Sequence, residues 1–344
     1  VVILRVFKLN YFVAAASLTA LIMILVFPQA VCGGVLYGLD MSVRIIIPAL
    51  FPFTVTALFL VKSGGINILS KLFGLPFSVF ILSALGGYPS GALLLNDLYK
   101  TGRLLKSNAE RALFFSINAG PSFVLTAVGA GFMNNRKLGA ILLISHIAAS
   151  FILCIIFGRS IKPEKICVKK DSTCVSDAFV LSVNGAVNSM LGIAGTVSVV
   201  SAVYFVLNEI LNKDAAKIIS AFFEVTLGVR ENSGNIILCA FLLGFGGLSV
   251  IMQVKYLAKD FSPSIVKILL GRIMHGAINA VLCFIILYFF PVAVETASNN
   301  VEFSEKIFFV SLPASLAFLF MCIMFVFTTL RSKLNSDDGQ AEHR

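Results

Sequence analysis

Apolar runs of bilayer length follow one another along this chain, and in hydrocarbon only a helix or a closed barrel can satisfy its own backbone. The runs near residues 11–27, 35–61, 75–98, 109–132, 138–157, 177–211, 235–257, 264–290 and 307–330 have helical length. The sequence therefore predicts an all-α, polytopic membrane protein. Of 344 residues, 58% are hydrophobic and 13% charged, against roughly 25% charged in soluble domains. The formal charge is +10, but the basic residues sit between the apolar runs, where they orient spans and meet anionic headgroups. That points to the lipid bilayer as partner and away from nucleic acid. Seven cysteines are scattered without metal-ligand spacing, so neither a disulfide framework nor a metal site is expected. No nucleotide-binding motif is present, and no cofactor is expected.

Two of the runs are poor material for straight helices. Leu85-Gly86-Gly87-Tyr88-Pro89-Ser90-Gly91-Ala92 puts three glycines and a proline inside the run at 75–98. Gly244-Phe245-Gly246-Gly247-Leu248-Ser249 puts three glycines inside 235–257. Freed backbone at membrane depth survives only where protein or a solvated cavity satisfies it, so both read as broken or re-entrant helices beside a cavity. The plainer alternative is a kinked span with glycines for close packing. Ser116-Ile117-Asn118-Ala119-Gly120-Pro121-Ser122 interrupts a third run. An Asn at that depth is costly unless it serves a site or a helix contact.

The remaining stretches read as follows. Residues 11–27 form a retained first span with a cytoplasmic N-terminus, since the sequence after it lacks a small-x-small cleavage pattern. Pro48 and Pro52 bend the second span. Residues 66–73 and the mixed stretch 213–230 are expected to lie on the membrane surface. The lysine-rich connection at 159–177 reads as cytoplasmic. That side is reached if the Gly86 segment dips in and returns. A lone His146 reads as a helix–helix contact, and Glu110-Arg111 as a solvated pair.

The halves look alike. Gly38 pairs with Gly185, Gly86-Gly87 with Gly246-Gly247, and Asn118 with Asn279, at separations growing from about 147 to about 161 residues. The growth puts an insertion at 213–230. Matching interruptions in two halves point to a transporter site at a repeat interface. The fold expected is thus two structural repeats, inverted, with broken or re-entrant glycine-rich helices.

The motifs Pro48-Ala49-Leu50-Phe51-Pro52-Phe53, Gly86-Gly87-Tyr88-Pro89-Ser90-Gly91-Ala92, Asn118-Ala119-Gly120-Pro121-Ser122-Phe123 and Phe245-Gly246-Gly247-Leu248-Ser249-Val250 resemble the YlbJ (SpoVV) sporulation integral membrane proteins. These are similar to the wider nucleoside-recognition or Gate-domain group. Ile251-Met252-Gln253 departs from the family pattern, in which a His precedes the Gln. The resemblance implies a multi-pass protein of an endospore-forming bacterium that moves dipicolinic acid across a forespore membrane by alternating access. It divides the chain into a first span (1–34), a Gate-like repeat with a connecting span (35–158), the basic loop (159–177), a second Gate-like repeat (178–290), a last span (291–330) and a polar tail (331–344).

Dipicolinate is a small planar dicarboxylate. Half-helix N-termini at the two Gly-Gly breaks can supply N–H donors and positive dipole ends. The expected substrate-binding set is Gly86, Gly87, Tyr88, Ser90, Asn118, Ser122, Gly246, Gly247, Ser249, Gln253, Arg272 and Asn279. Tyr88 can stack on the ring. Arg272 or Arg44 either supplies charge or snorkels to the headgroups. Other readings are a carrier of a nucleoside or ion, a non-transporting assembly factor, a homo-oligomer, and an intramembrane hydrolase using Ser90 and His275. The last lacks a nucleophile-elbow pattern, and no enzyme is expected.

Overall fold

The computed structural model describes residues 2–161 and 174–292. The last span and tail expected beyond residue 292, and the stretch 162–173 of the basic loop, lie outside them. Every described element is helical. Five helical stretches are long and apolar enough to cross a bilayer: Pro28–Lys62, Arg136–Gly158, Val175–Ile210, Ile236–Leu257 and Ile265–Phe289. The chain is an all-α, multi-pass membrane protein.

Helix α1 (Val2–Val26) precedes α2 (Pro28–Met41), a π-helical turn (Ser42–Ile46) and α3 (Ile47–Lys62), which run on as one crossing segment. The π turn ends just before Pro48, which has no N–H to continue the ladder; a local widening absorbs the missing bond. The expected bend is there, while the helix continues through Pro52. The amphipathic α4 (Ile66–Phe73) turns Ile68, Leu72 and Phe73 outward, as a helix at a membrane surface does.

Then α5 (Leu75–Gly86) and α6 (Tyr88–Lys100) meet at Gly87, whose φ of +81° no other residue adopts cheaply. The two lie side by side. A Cβ added to Gly91 would come within 3.1 Å of the Ser83 Cβ, whereas eight residues of unbroken helix span about 12 Å. Lys62 Nζ lies 2.8 Å from Asp97 Oδ2, so the hairpin returns to the end of the bundle where α3 finished. The first break is thus the turn of a hairpin and not a kink in one straight helix.

Helix α7 (Lys106–Ala112) leads into an unwound stretch and a π-helical segment (Phe123–Phe132). From there α8 (Arg136–Gly158) runs back, opened by Asn135, whose side chain accepts from the Lys137 and Leu138 N–H groups. Helix α9 (Val175–Ile210) packs antiparallel to α2 and α3: Gly34 lies on Ala202, Gly38 on Ser198, and Gly185 on Leu58. Its inner face is small (Ala186, Ala194, Ser198, Ala202) and its outer face apolar (Leu191, Val199, Val203), the division expected between helix contact and lipid.

The stretch 213–230 is not a surface helix. Helices α10 (Lys213–Phe223) and α11 (Val225–Glu231) turn back on each other at Glu224. A Cβ on Gly228 would come within 2.8 Å of Ala221 Cα, where seven helical residues would span about 10 Å. Residues Val225 to Val229 are buried, which a surface location would not give. This second hairpin starts where α9 ends, at the end of the bundle opposite the first.

Helices α12 (Ile236–Phe245) and α13 (Gly247–Leu257) form one crossing segment broken by left-handed Gly246 and Gly247 (φ +81° and +78°). Its far end reaches the α6 end, where Asn96 donates to Asp260 Oδ2 and accepts from the Asp260 N–H. Finally α14 (Ile265–Phe289) crosses again. The two glycine breaks therefore differ in kind: Gly87 tips a hairpin, while Gly246 interrupts a crossing. Glu224 tips the second hairpin, within the stretch 213–230, as Gly87 tips the first. No strand pairing competes with this plan, because the apolar runs have helical length throughout.

Candidate functional site

The hairpin tips and the unwound crossings meet in the middle of the bundle. A Cβ on Gly87 would come within 3.6 Å of Gly120 N and Cα, and one on Gly247 within 3.2 Å of Glu224 N and Cα. Each tip thus rests on an unwound stretch of backbone. Tyr88, first in α6, donates from its hydroxyl to the Leu243 carbonyl at 2.8 Å, tying the first tip to the last turn of α12.

Around this junction lies a small crevice with a cavity volume of about 30 Å³. The start of α6 contributes Tyr88, the π-helical segment Phe123, α11 Val225 and Thr226, and α13 Ser249, Val250 and Gln253. Glu224 lies at the tip of the second hairpin, and Ile46, Leu50, Ile193 and Val197 close the walls. The lining is mostly apolar with a few polar groups, the usual make-up of a small-molecule site. Several helix beginnings converge here, and a helix beginning carries unsatisfied N–H groups and partial positive charge.

Two polar side chains stand out. Glu224 is buried, and its Oε2 accepts from the Leu227 N–H at 2.7 Å, capping α11. Ser249 Oγ is buried without a hydrogen-bond partner. Such a group is costly unless a ligand or water satisfies it.

Beneath the crevice lies a second polar cluster. Arg272 is 0% exposed, and its guanidinium donates to the Phe245 carbonyl at 3.2 Å and to the carbonyls of Gly244 and Ile117. It closes the C-terminus of α12 and fastens that helix to the unwound stretch after α7. Its fourth contact is His275 Nδ1 at 3.1 Å. The His275 and His146 rings stack with centroids 4.4 Å apart. The Ala119 N–H donates to His146 Nε2 at 2.9 Å, so that imidazole is neutral with its proton on Nδ1. Asn279 donates to the Ala240 carbonyl at 2.6 Å, and Ser150 to that of Phe115 at 2.7 Å. Both side chains thereby tie their helices to the backbone of neighbouring segments.

Of the expected binding residues, Tyr88, Ser249 and Gln253 line the crevice. Gly86, Gly87, Gly246 and Gly247 shape the breaks beside it. Ser90 turns inward and donates to Gly87 O at 2.8 Å. Asn118 donates to Ser83 Oγ at 3.2 Å and to Phe115 O at 2.9 Å, and Ser122 is buried at the start of the π-helical segment. Arg272 and Asn279 belong to the cluster below. Arg272 does not snorkel, whereas Arg44 is exposed and pairs with Asp40. Glu110 is no solvated pair with its neighbour: it is buried and bridges to Lys267 of α14. Ser90 and His275 are each engaged elsewhere, so the nucleophile–base pairing of a hydrolase is not formed. Thr226 gave no signal in the sequence; Glu224 gave one, an acid flanked by Phe222-Phe223 and Val225.

No protein-family model matches the chain, and no solved structure does. The sporulation integral membrane protein YlbJ of Bacillus subtilis (strain 168) is 24% identical, over 77% of this chain and 79% of that protein. The chain is its distant relative. Among the described residues no group of three or more His, Cys, Asp or Glu side chains is placed to hold a metal ion.

Proposed function

We propose that this chain is a membrane carrier for a small organic anion, with dipicolinate as the substrate and a forespore membrane as the location. One observation carries the reading: the tips of two hairpins, entering from opposite ends of the bundle, each rest on an unwound stretch of backbone and line one shared crevice. Non-helical backbone at that depth is what a carrier's solute chamber needs and what a passive scaffold does not. The convergent helix beginnings favour an anion. The apolar walls and the Tyr88 ring suit a flat aromatic body.

The carrier works by alternating access between two inverted repeats. In the register favoured by the geometry, α2–α3 answers to α9, the Gly87 hairpin to the Glu224 hairpin, Gly120-Pro121-Ser122 to Gly247-Leu248-Ser249, and α8 to α14. The antiparallel packing of α9 on α2 and α3 supports inversion. His146 and His275 each fall ten residues after the start of their helix and stack on each other. Four residues further on, Ser150 and Asn279 each bond a carbonyl of the preceding broken helix.

The test is uptake by purified full-length chain in liposomes loaded with terbium, whose luminescence reports dipicolinate arrival. Nucleosides and other dicarboxylates serve as competitors. Saturable uptake blocked by unlabelled aromatic dicarboxylates supports the reading. Uptake no faster than in empty liposomes refutes it, and competition by nucleosides alone moves the substrate class.

A further inference from the structure

Resting on the carrier reading, we propose that Glu224 is the proton-coupling site, taking up a proton as the anion binds and releasing it on the other side. The crevice gathers helix beginnings suited to an anion, yet the acid at its edge is a carboxylate removed from bulk water. Ion pairs among the described residues engage Asp40, Asp97, Asp260 and Glu110, but not Glu224. An ionised Glu224 and a bound carboxylate would repel each other across this low-dielectric space. A proton on the acid removes the repulsion.

The ionisable groups that face Glu224 are Tyr88 of α6 and Tyr37 of α2. Arg230 of α11 donates to the Tyr37 hydroxyl, and its Cζ lies 5.0 Å from that ring's centroid. Glu224 Oε2 accepts from the Leu227 N–H, and the carboxyl also meets the N–H and side chain of Thr226, so the proton would sit on a carboxyl already held in place. The unpartnered Ser249 Oγ lines the same crevice and suits a ligand oxygen or the protonated acid. A metal cation is disfavoured, because one carboxylate with one oxygen already engaged is a poor oxygen cage. The balance is simple: hydronium on the open side gives a proton to the Glu224 carboxylate, and the same proton returns to water when the anion leaves.

The experiment follows dipicolinate uptake and lumenal pH together in liposomes holding the full chain, with the potential clamped by valinomycin and equal potassium. A one-unit pH gradient, acid outside, should raise wild-type accumulation about tenfold for one proton per anion. The lumen should acidify in step. Glu224→Gln keeps an acceptor for the Leu227 N–H; its uptake should ignore the gradient, while Glu224→Asp stays coupled. Binding of dipicolinate to detergent-purified wild type in weak buffer should take up one proton per chain, a readout independent of any variant. Absence of wild-type uptake overturns the carrier reading itself. Uptake that ignores the pH gradient or follows sodium, coupling that survives in Glu224→Gln, or binding without proton uptake overturns the proton site alone.

Discussion

Arg272 spends its guanidinium on carbonyls that no helix can satisfy, those of Gly244, Phe245 and Ile117. Lysine has neither the planar fork nor the reach to bond three carbonyls at once. Arg272→Lys and Arg272→Met are both expected to cost on the order of 3–5 kcal/mol, from several lost charge-assisted bonds. Thermal unfolding in detergent measures this, and an unchanged midpoint for either variant would refute the role. His146→Phe keeps a ring to stack on His275 but leaves the Ala119 N–H unpartnered, an expected loss of about 1–3 kcal/mol. Outside the membrane spans, the Asn96 amide, with Lys100 behind it, holds the Asp260 carboxyl below its ordinary value. A carboxylate so depressed stabilises the fold above its unfolded pKa, and that contribution is lost as pH falls through the lowered one. The stability gap between wild type and Asp260→Asn should therefore narrow as the medium is acidified through that window.

Among elements, the first hairpin depends most on backbone contact. A Cβ on Gly91 would meet the Ser116 carbonyl oxygen at 1.6 Å, so Gly91→Ala should prevent the hairpin from seating on the unwound stretch. Gly38→Val should likewise part α2 from α9, where a Cβ would lie 2.4 Å from Ser198 Cα. Gly195→Ala, with open space around it, is the neutral control. Yield of monodisperse protein after extraction distinguishes the three. The sequence made the crossings readable because lipid imposes length and hydropathy on them, and the Gly87 turn because glycine and proline mark broken backbone. It did not show the second hairpin, whose tip carries Glu224 rather than glycine and whose amphipathic α10 looks like a surface helix. Nor did it show the role of Arg272, since a lone arginine in a span reads equally well as snorkelling until the carbonyls around it are placed.

At the scale of the molecule, the ion pairs between the first and second halves, among the described residues, gather at one end. There Lys100 meets Asp260, Asn96 bonds Asp260, and Lys267 bridges to Glu110. The basic connections cluster at the same end, which the positive-inside bias assigns to the cytoplasm. In the proposed carrier mechanism, alternating access would require each hairpin tip to part in turn from the unwound stretch it rests on. The most direct measurement places a cysteine at Ser249, with all seven native cysteines replaced. Its labelling by a membrane-impermeant maleimide is then followed from each side, with and without dipicolinate. The account predicts that Ser249→Cys is labelled and that the anion slows the reaction severalfold, while a cysteine at Gly195 is indifferent to the anion. Labelling of Ser249→Cys from neither side, or at the same rate with the anion present, would contradict it.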